Sequence, residues 1–398
     1  MKHVLYLRTD LGTQDLTSGG SVAHTLGVLD GLHEHGSVVY CASSAMQSVL
    51  AQKSEINFKA LWLPRVCSFF GFKLSCLFSN IWFFFQLIVY LSAVQVDSVY
   101  QRYSMLNIVG LMIARFKRIP LILEFNGSEA WVDANWSGRK KKRMSWFVMY
   151  IEDWNVQSAD YIIVVSRVLK DMLIARGVAG EKILVNPNGV DVERFDPEWH
   201  QHDAQRVRAT LGITPRYVFG FIGSFSYWHG IEVISAMIPR VVQCDARAHF
   251  LLIGSGPLLA QLRAAVEDAG RAHAVTFLGN VAYEDAPIYL SACDAFLCPS
   301  QPNADGTPFF GSPTKLFEYM SMGKPIIASN VDQLCDIVEP SFGYLLSPDN
   351  VDGFVDAACD LMRQDMAVQK SMGHYAREAA IRKFSWAQHV SHIQQFVS

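Results

Sequence analysis

The chain has 398 residues, 51% of them hydrophobic, and a formal net charge of -3. Hydrophobic cores stop growing near ~250 residues, so two domains are expected, and the near-neutral balance excludes a global pull towards nucleic acid. The eight cysteines form no Cys-x-x-Cys pair and several sit in apolar runs, which reads as reduced thiols in a cytoplasmic protein.

The opening "MKHVLYLRTDLGTQ" begins as a strand, and its apolar run is broken by Arg8 and Asp10, too soon for a signal-peptide core. "TSGGSVAHTLGVLDGLHEHG" sets Gly19 and Gly20 between that strand and a helix. There the missing side chains let backbone N–H groups approach a ligand, or simply make a tight turn. After the strand "SVVYCAS" comes an apolar segment, Ser68 to Ala93, whose single charged side chain is Lys73. Three readings fit it: a helix lying in the plane of a membrane, a buried crossover helix, or a membrane span. Ser75, Ser79, Gln86 and Tyr90 recur at helical spacing as a thin polar stripe, which counts against the span.

"DSVYQRY" and "PLILEFN" are further strands. The second runs into "EFNGSEAW", leaving Asn126, Gly127 and Glu129 at a strand end, where α/β domains bind their ligands. "RKKKR", Arg139 to Arg143, suits anionic lipid headgroups or is a solvated loop. "YIIVVS" is followed by a capped helix, a strand and a Pro-Asn-Gly turn in "SRVLKDMLIARGVAGEKILVNPNGVD". A stretch rich in turn formers and charge, 186–216, reads as the hinge. Beyond it "YVFGFIG", "HFLLIGSG", "VTFLGN", "AFLCPS" and "PIIASN" repeat the strand rhythm of the first half. Continuous apolar strands alternating with helices imply two doubly wound parallel-sheet domains. The expected boundaries are 1–195, 196–380 and a C-terminal helix, 381–398, packing back on the first domain.

In "SPTKLFEYMSMGKP", Ser312 is suited to cap a helix, Pro313 to its first position, and Gly323 with Pro325 to its end. Lys315 and Glu318, three apart, share a face expected to look outwards, while Leu316, Phe317 and Met320 turn to a core. Unpaired N–H groups and a lysine suit phosphate; a carboxylate one turn on suits sugar hydroxyls. That pairing fits a nucleotide sugar, against the alternative of an ordinary surface ion pair.

Taken together, the paired glycines, "VVSRVLKDML", "KILVNPNGVDVERFDP", "GSFSYWHGIEVI", "HFLLIGSGPL", "VTFLGNVAYEDAPIYLSACDAFLCPS" and "SPTKLFEYMSMGKPIIAS" resemble, in order and spacing, a family 4 glycosyltransferase. The resemblance covers nearly the whole chain. It implies the GT-B fold, two facing Rossmann-like domains, and a nucleotide-sugar donor held mainly by the second. It also implies that Glu318 binds the ribose hydroxyls, that Lys315 and the backbone of Gly311, Ser312 and Thr314 lie near the diphosphate, and that Gly279 to Val281 meet the base edge. Where the family commonly carries a basic pair, this chain has Ser224 and His229; where it carries the first of two glutamates, it has Phe310; where it often carries a histidine, it has Asn126. Asp305, in "NADGTPFFG", is a candidate replacement for that glutamate or a turn former before Gly306.

Retention at the anomeric carbon follows from the resemblance, with the leaving phosphate assisting the acceptor hydroxyl. No DxD-type carboxylate pair follows a strand, so neither a metal nor another cofactor is expected. The implied acceptor is a glycan or lipid-linked intermediate, with peripheral membrane contact through Ser68 to Ala93 and Arg139 to Arg143, and no nucleic acid. Two alternatives remain: an epimerase using Asp10, Glu124 or Glu129, and an inactive nucleotide-sugar-binding partner.

Overall fold

The computed structural model describes residues 2–17, 19–65, 67, 71–135, 145–303 and 305–398. Two compact units divide the chain. The first comprises Met1–Thr17, Thr25–Pro187 and Trp386–Ser398, and the second Ser18–His24 and Asn188–Ser385.

In the first unit the chain runs β1 (His3–Arg8), α1 (Gly20–Glu34, its first turn grouping with the second unit), β2 (Val38–Ser43), α2 (Gln47–Leu50), β3 (Asn57–Ala60) and α3 (Phe72–Tyr90). It continues with β4 (Ser98–Arg102), α4 (Val109–Lys117), β5 (Leu121–Phe125), α5 (Glu129–Asn135), α6 (Ser145–Ser158), β6 (Tyr161–Val164), α7 (Arg167–Ala175) and β7 (Ile183–Val185). These strands form one parallel sheet in the order β3-β2-β1-β4-β5-β6-β7. The central strands are buried on both faces, as the uninterrupted apolar runs require: Leu5 pairs with Tyr40 on one side and Val99 on the other. The order reverses at β1, so the loops after β1 and β4 diverge at the carboxyl ends of the strands.

The second unit begins with α8 (Gln201–Thr210) and alternates β8 (Tyr217–Ile222), α9 (Ile231–Cys244), β9 (Ala248–Ile253), α10 (Leu259–Asp268), β10 (Val275–Gly279), α11 (Ala286–Leu290) and β11 (Ala295–Cys298). Then follow α12 (Thr314–Ser321), β12 (Ile326–Ser329), α13 (Gln333–Ile337), β13 (Gly343–Leu346), α14 (Val351–Arg363) and α15 (Met366–Lys383). Its parallel sheet has the order β10-β9-β8-β11-β12-β13, over a core of Phe219, Phe250, Ile234, Met237, Leu297 and Phe354. The last helix, α16 (Trp386–Phe396), belongs to the first unit. The division falls at Pro187–Asn188, inside the expected hinge 186–216 and a few residues ahead of the expected boundary at 195–196. All eight cysteines are free thiols.

Of the readings of Ser68 to Ala93, the span is set aside by packing. Residues 68–70 lie outside the described residues; from Phe72 the segment is the crossover helix α3, long and apolar enough to cross a membrane, with Phe83 and Leu87 sealed against the core. Asn80 anchors it: Nδ2 donates to Leu106 O at 2.8 Å and Oδ1 accepts from Ile108 N at 2.8 Å. The expected polar stripe faces inwards. Ser75 and Ser79 are buried and bonded to backbone carbonyls, Gln86 is bonded to Trp62 O, and Tyr90 donates to Asn57 O.

Candidate functional site

The loop after β8 and the start of α12 converge at the carboxyl ends of β8 and β11. Tyr319 fixes α12 there, its hydroxyl accepting from Ile222 N at 2.8 Å and its ring stacked on Phe296 with centroids 4.2 Å apart. Lys315 and Glu318 do not look outwards as their spacing suggested. They are 6% and 7% exposed, and the loop from Phe221 to His229 covers Lys315. Lys315 Nζ lies 3.1 Å from His229 Nδ1 and 4.1 Å from the centre of the Phe221 ring, a neutral acceptor and a cation–π face. With Nδ1 accepting from the ammonium, the His229 proton sits on Nε2, which is left as a donor. Gly223 makes the approach possible: its φ is +151°, and a Cβ there would stand 3.0 Å from Lys315 Nζ.

Burial sets the electrostatics. It pulls Lys315 down to about 8 despite the opposing charge of Glu318, and lifts Glu318 to about 7 against the attraction of Lys315. Burial, reinforced by the Lys315 charge, holds His229 well below its ordinary value, so it is neutral. A buried ammonium faced by a neutral imidazole and the N-terminal turn of a helix is an arrangement that an anion would stabilise.

Ser312 does not cap α12 as expected. Its Oγ accepts from Asn188 N at 3.1 Å, and the helix starts at Thr314 with no side-chain cap. His24 Nδ1 meets Asn188 Oδ1 at 2.6 Å, and Gly20 sits so close to Thr314 that a Cβ would be 2.7 Å from Oγ1. The glycine pair, Asn188, Ser312 and Thr314 therefore lie together within the second unit. Ser224 is exposed beside Ser226. Gly279 ends β10 with φ +73° and Val281 lies just beyond it, half-buried.

Phe310 is buried. Asp305 is exposed, and its Oδ1 accepts from Thr307 N at 3.0 Å and Thr307 Oγ1 at 2.7 Å, a turn-forming arrangement. Nothing in the sequence pattern points to Asp332. It follows β12 at its carboxyl end with φ +36° and ψ -114°, a conformation that is strained for a side-chain-bearing residue, and its Oδ2 accepts from Phe309 N. Only the positive φ, invisible in the sequence, marks it.

In the first unit Asn126 follows β5. Its Nδ2 donates to Glu124 Oε1, and its buried Oδ1 has no partner among the described residues. Glu124 is committed to structure, with Arg102 Nη1 at 2.6 Å and the Tyr100 hydroxyl at 3.1 Å. Asp10 is likewise held by Arg8 at 3.0 Å; burial would raise its carboxyl, but the guanidinium wins and holds it low. Glu129 differs. Burial, with Glu152 and Asp10 nearby, pushes it up to about 7. Gly127 lies between, half-buried.

Two family models match: one described as Glycosyltransferase Family 4 over residues 18–194, the other as Glycosyl transferases group 1 over residues 216–364. The chain belongs to the family 4 glycosyltransferases. As a member it is similar to a GDP-mannose-dependent alpha-(1-6)-phosphatidylinositol monomannoside mannosyltransferase of Mycobacterium tuberculosis, 29% identical over 50% of this chain and 51% of the relative. It is also similar to an alpha-monoglucosyldiacylglycerol synthase of Streptococcus pneumoniae, 24% identical over 60% of this chain and 53% of that one. The matches thus span about half the length of these relatives. Its fold matches HepE of Anabaena in complex with UDP, with a TM-score of 0.72, 18% identity and coverage of 100% and 99% of the two chains. WaaG, a glycosyltransferase involved in lipopolysaccharide biosynthesis, gives a TM-score of 0.69 at 13% identity with 100% of each chain covered. The fold is GT-B.

Proposed function

We propose that this family 4 member transfers a sugar from a nucleotide-sugar donor, with retention and without a metal, to a glycan or lipid-linked glycan at the cytoplasmic face of a membrane. The observation that carries it is the buried Lys315 at the first turn of α12, faced by neutral His229, with Glu318 one turn on. In this reading Lys315 Nζ, His229 Nε2–H and the amides of Gly311, Ser312 and Thr314 stabilise the leaving diphosphate, the work a divalent cation does elsewhere. Glu318 accepts the ribose hydroxyls, Ser224 and the Gly19–Gly20 turn line the phosphate path, and Gly279 to Val281 meet the base.

The acceptor hydroxyl gives its proton to the departing phosphate oxygen on the same face, so no protein nucleophile is needed. In the first unit Asn126 offers a neutral acceptor, Oδ1, buried and without a partner among the described residues. The carboxylate that Phe310 lacks is supplied to the transferred sugar by Asp332, with Asp305 as the competing candidate. The strain at Asp332 and its bond to Phe309 N favour the former. GDP- and UDP-sugars are the donors to try first, since relatives and fold neighbours carry those nucleotides in their names.

The test is a thermal-shift panel of nucleotide sugars without added metal. A donor present at ~100 times its dissociation constant should stabilise the protein by about 2.7 kcal/mol, and Glu318→Ala should abolish the shift. Asp332→Ala should lower turnover while leaving binding of the bare nucleoside diphosphate intact; Asp305→Ala should change neither. No shift with any nucleotide sugar defeats the proposal.

A further inference from the structure

Two helices of the first unit are built inside out. On α3 the residues turned away from the core are Leu74, Phe78, Ile81, Trp82, Phe85 and Val89, with Val89 74% exposed, at i, i+4, i+7, i+8, i+11 and i+15. Its buried side instead carries Ser75, Ser79 and Asn80 among the apolar residues. On α6 the outward positions are Trp146 (74% exposed), Met149, Tyr150 and Trp154, whereas Glu152 and Asn155 are fully buried. Glu152 is bonded inside to the Ser128 hydroxyl at 2.6 Å and to Arg176 at 2.9 Å, and Asn155 to Asn107 O at 2.7 Å. A helix of a water-soluble domain has the opposite polarity.

The two helices are neighbours. Cys76 and Leu77 of α3 and Phe147, Val148 and Ile151 of α6 close over one buried cluster, and each helix turns its aromatic stripe away from it. Trp62 extends the surface edge-on to Trp82, ring centroids 5.2 Å apart, and Phe116 at the end of α4 extends it from Phe84, at 5.8 Å. An exposed apolar face of this size on a soluble domain marks a partner.

Charge identifies that partner. Between Ile56 and Leu123 the sequence holds seven lysines and arginines but one acidic residue, Asp97, in a chain whose net charge is -3; two of the seven are committed to ion pairs, Lys73 with Asp133 and Arg102 with Glu124. Asp97 is tied to the His3 amide at 3.0 Å, at the amino end of the sheet. Arg115 and Arg118, both exposed, flank Phe116. Aromatic and aliphatic side chains with Arg115 and Arg118 beside Phe116 fit the boundary between headgroups and acyl chains of an anionic bilayer, with tryptophans and tyrosines at the depth they favour.

We propose that α3 and α6, with Trp62 and Phe116, dock this protein on an anionic lipid surface, α3 lying in the plane of the membrane with its outward stripe immersed. The inference deepens the reading of a membrane-presented acceptor and gives it a surface; the donor site does not depend on it.

The test is sedimentation of the full chain with vesicles of phosphatidylcholine alone and of phosphatidylcholine with phosphatidylglycerol. The protein should bind the anionic vesicles, with affinity falling as salt rises, and tryptophan emission should shift to the blue. Phe85→Ser combined with Val89→Ser, and separately Trp154→Ser, should each weaken binding about tenfold or more. All three positions are exposed, so the variants should keep the wild-type melting temperature and donor-induced thermal shift. Wild-type protein that stays in the supernatant with both vesicles overturns the proposal. So does equal binding by the variants, or a wild-type dimer in sedimentation velocity that these substitutions convert to monomer. Loss of the donor shift in wild type would instead count against the proposed activity alone.

Discussion

At the level of single residues, the sequence located the Lys315 and Glu318 pair but misjudged its setting. Spacing fixes which residues share a helix face; it says nothing about what covers that face, here a loop 86 residues earlier in the chain at the Lys315–His229 contact. That cover makes the pair costly to the unliganded protein. Lysine with its value lowered to about 8 carries a penalty that is fully present below pH 8 and relieved as pH rises towards its ordinary 10.5. Glu318, raised to about 7, loses stability as pH rises from its ordinary 4.5 to 7. Stability from this pair should therefore be lowest near pH 7 to 8, the range in which an anionic ligand is most welcome. Lys315→Met combined with Glu318→Leu should raise the urea midpoint at pH 7, by about 1–3 kcal/mol in free energy, while destroying nucleoside diphosphate binding. Nucleoside diphosphate binding should draw a proton onto Lys315. Near pH 8 to 9, calorimetry in buffers of different ionisation enthalpy should show net proton uptake that Lys315→Met abolishes; equal heats in all buffers would remove Lys315 from the phosphate site.

Secondary-structure elements were more legible. Central strands announce themselves as apolar runs because both faces are covered. β3, Asn57–Ala60, went unseen because it is a sheet edge whose half-buried and exposed residues carry no apolar run; β13, Gly343–Leu346, is also an edge and was passed over although its sequence is apolar. The inverted stripe of α6 was missed because Glu152 and Asn155 look like a solvent face until Ser128, Arg176 and Asn107 are seen to enclose them. Arg139 to Arg143, singled out for its charge, lies outside the described residues. The Asn80 anchor tests the element account directly. Its amide satisfies Leu106 O and Ile108 N at the start of α4, where no side chain of α4 itself caps the helix. Asn80→Leu leaves both buried groups unpaired and should cost about 2–4 kcal/mol, read as a lowered urea midpoint with unchanged far-ultraviolet circular dichroism. A cost below 1 kcal/mol would mean that water reaches those groups and that α3 is held by apolar packing alone.

For the whole molecule, the chain crosses from the first unit to the second and returns, so the two units cannot be cut apart by a single break. α16 is the returning piece. Trp386, Val390 and Ile393 are buried in the first unit, and α1 is shaped to receive them: a Cβ on Gly27 would fall within the Trp386 ring, and one on Gly31 would meet Val390. Asn186, at the end of β7, donates to His389 O at 2.9 Å, and His389 Nδ1 meets Pro187 O at 2.8 Å. Burying a tryptophan, a valine and an isoleucine contributes roughly 5 kcal/mol, about the whole stability of a typical domain. A chain ending at Ser385 should therefore lose the first unit preferentially. Native-state hydrogen exchange should show β1, β4 and β5 opening while β8, β9 and β11 keep their protection, and nucleoside diphosphate binding through Lys315 and Glu318 should survive. Gly27→Ala should act in the same direction more weakly, because the Trp386 ring must be displaced for the methyl group to fit. If the truncated chain instead protects both sheets as the full chain does, α16 is an accessory to the first unit and not part of its core.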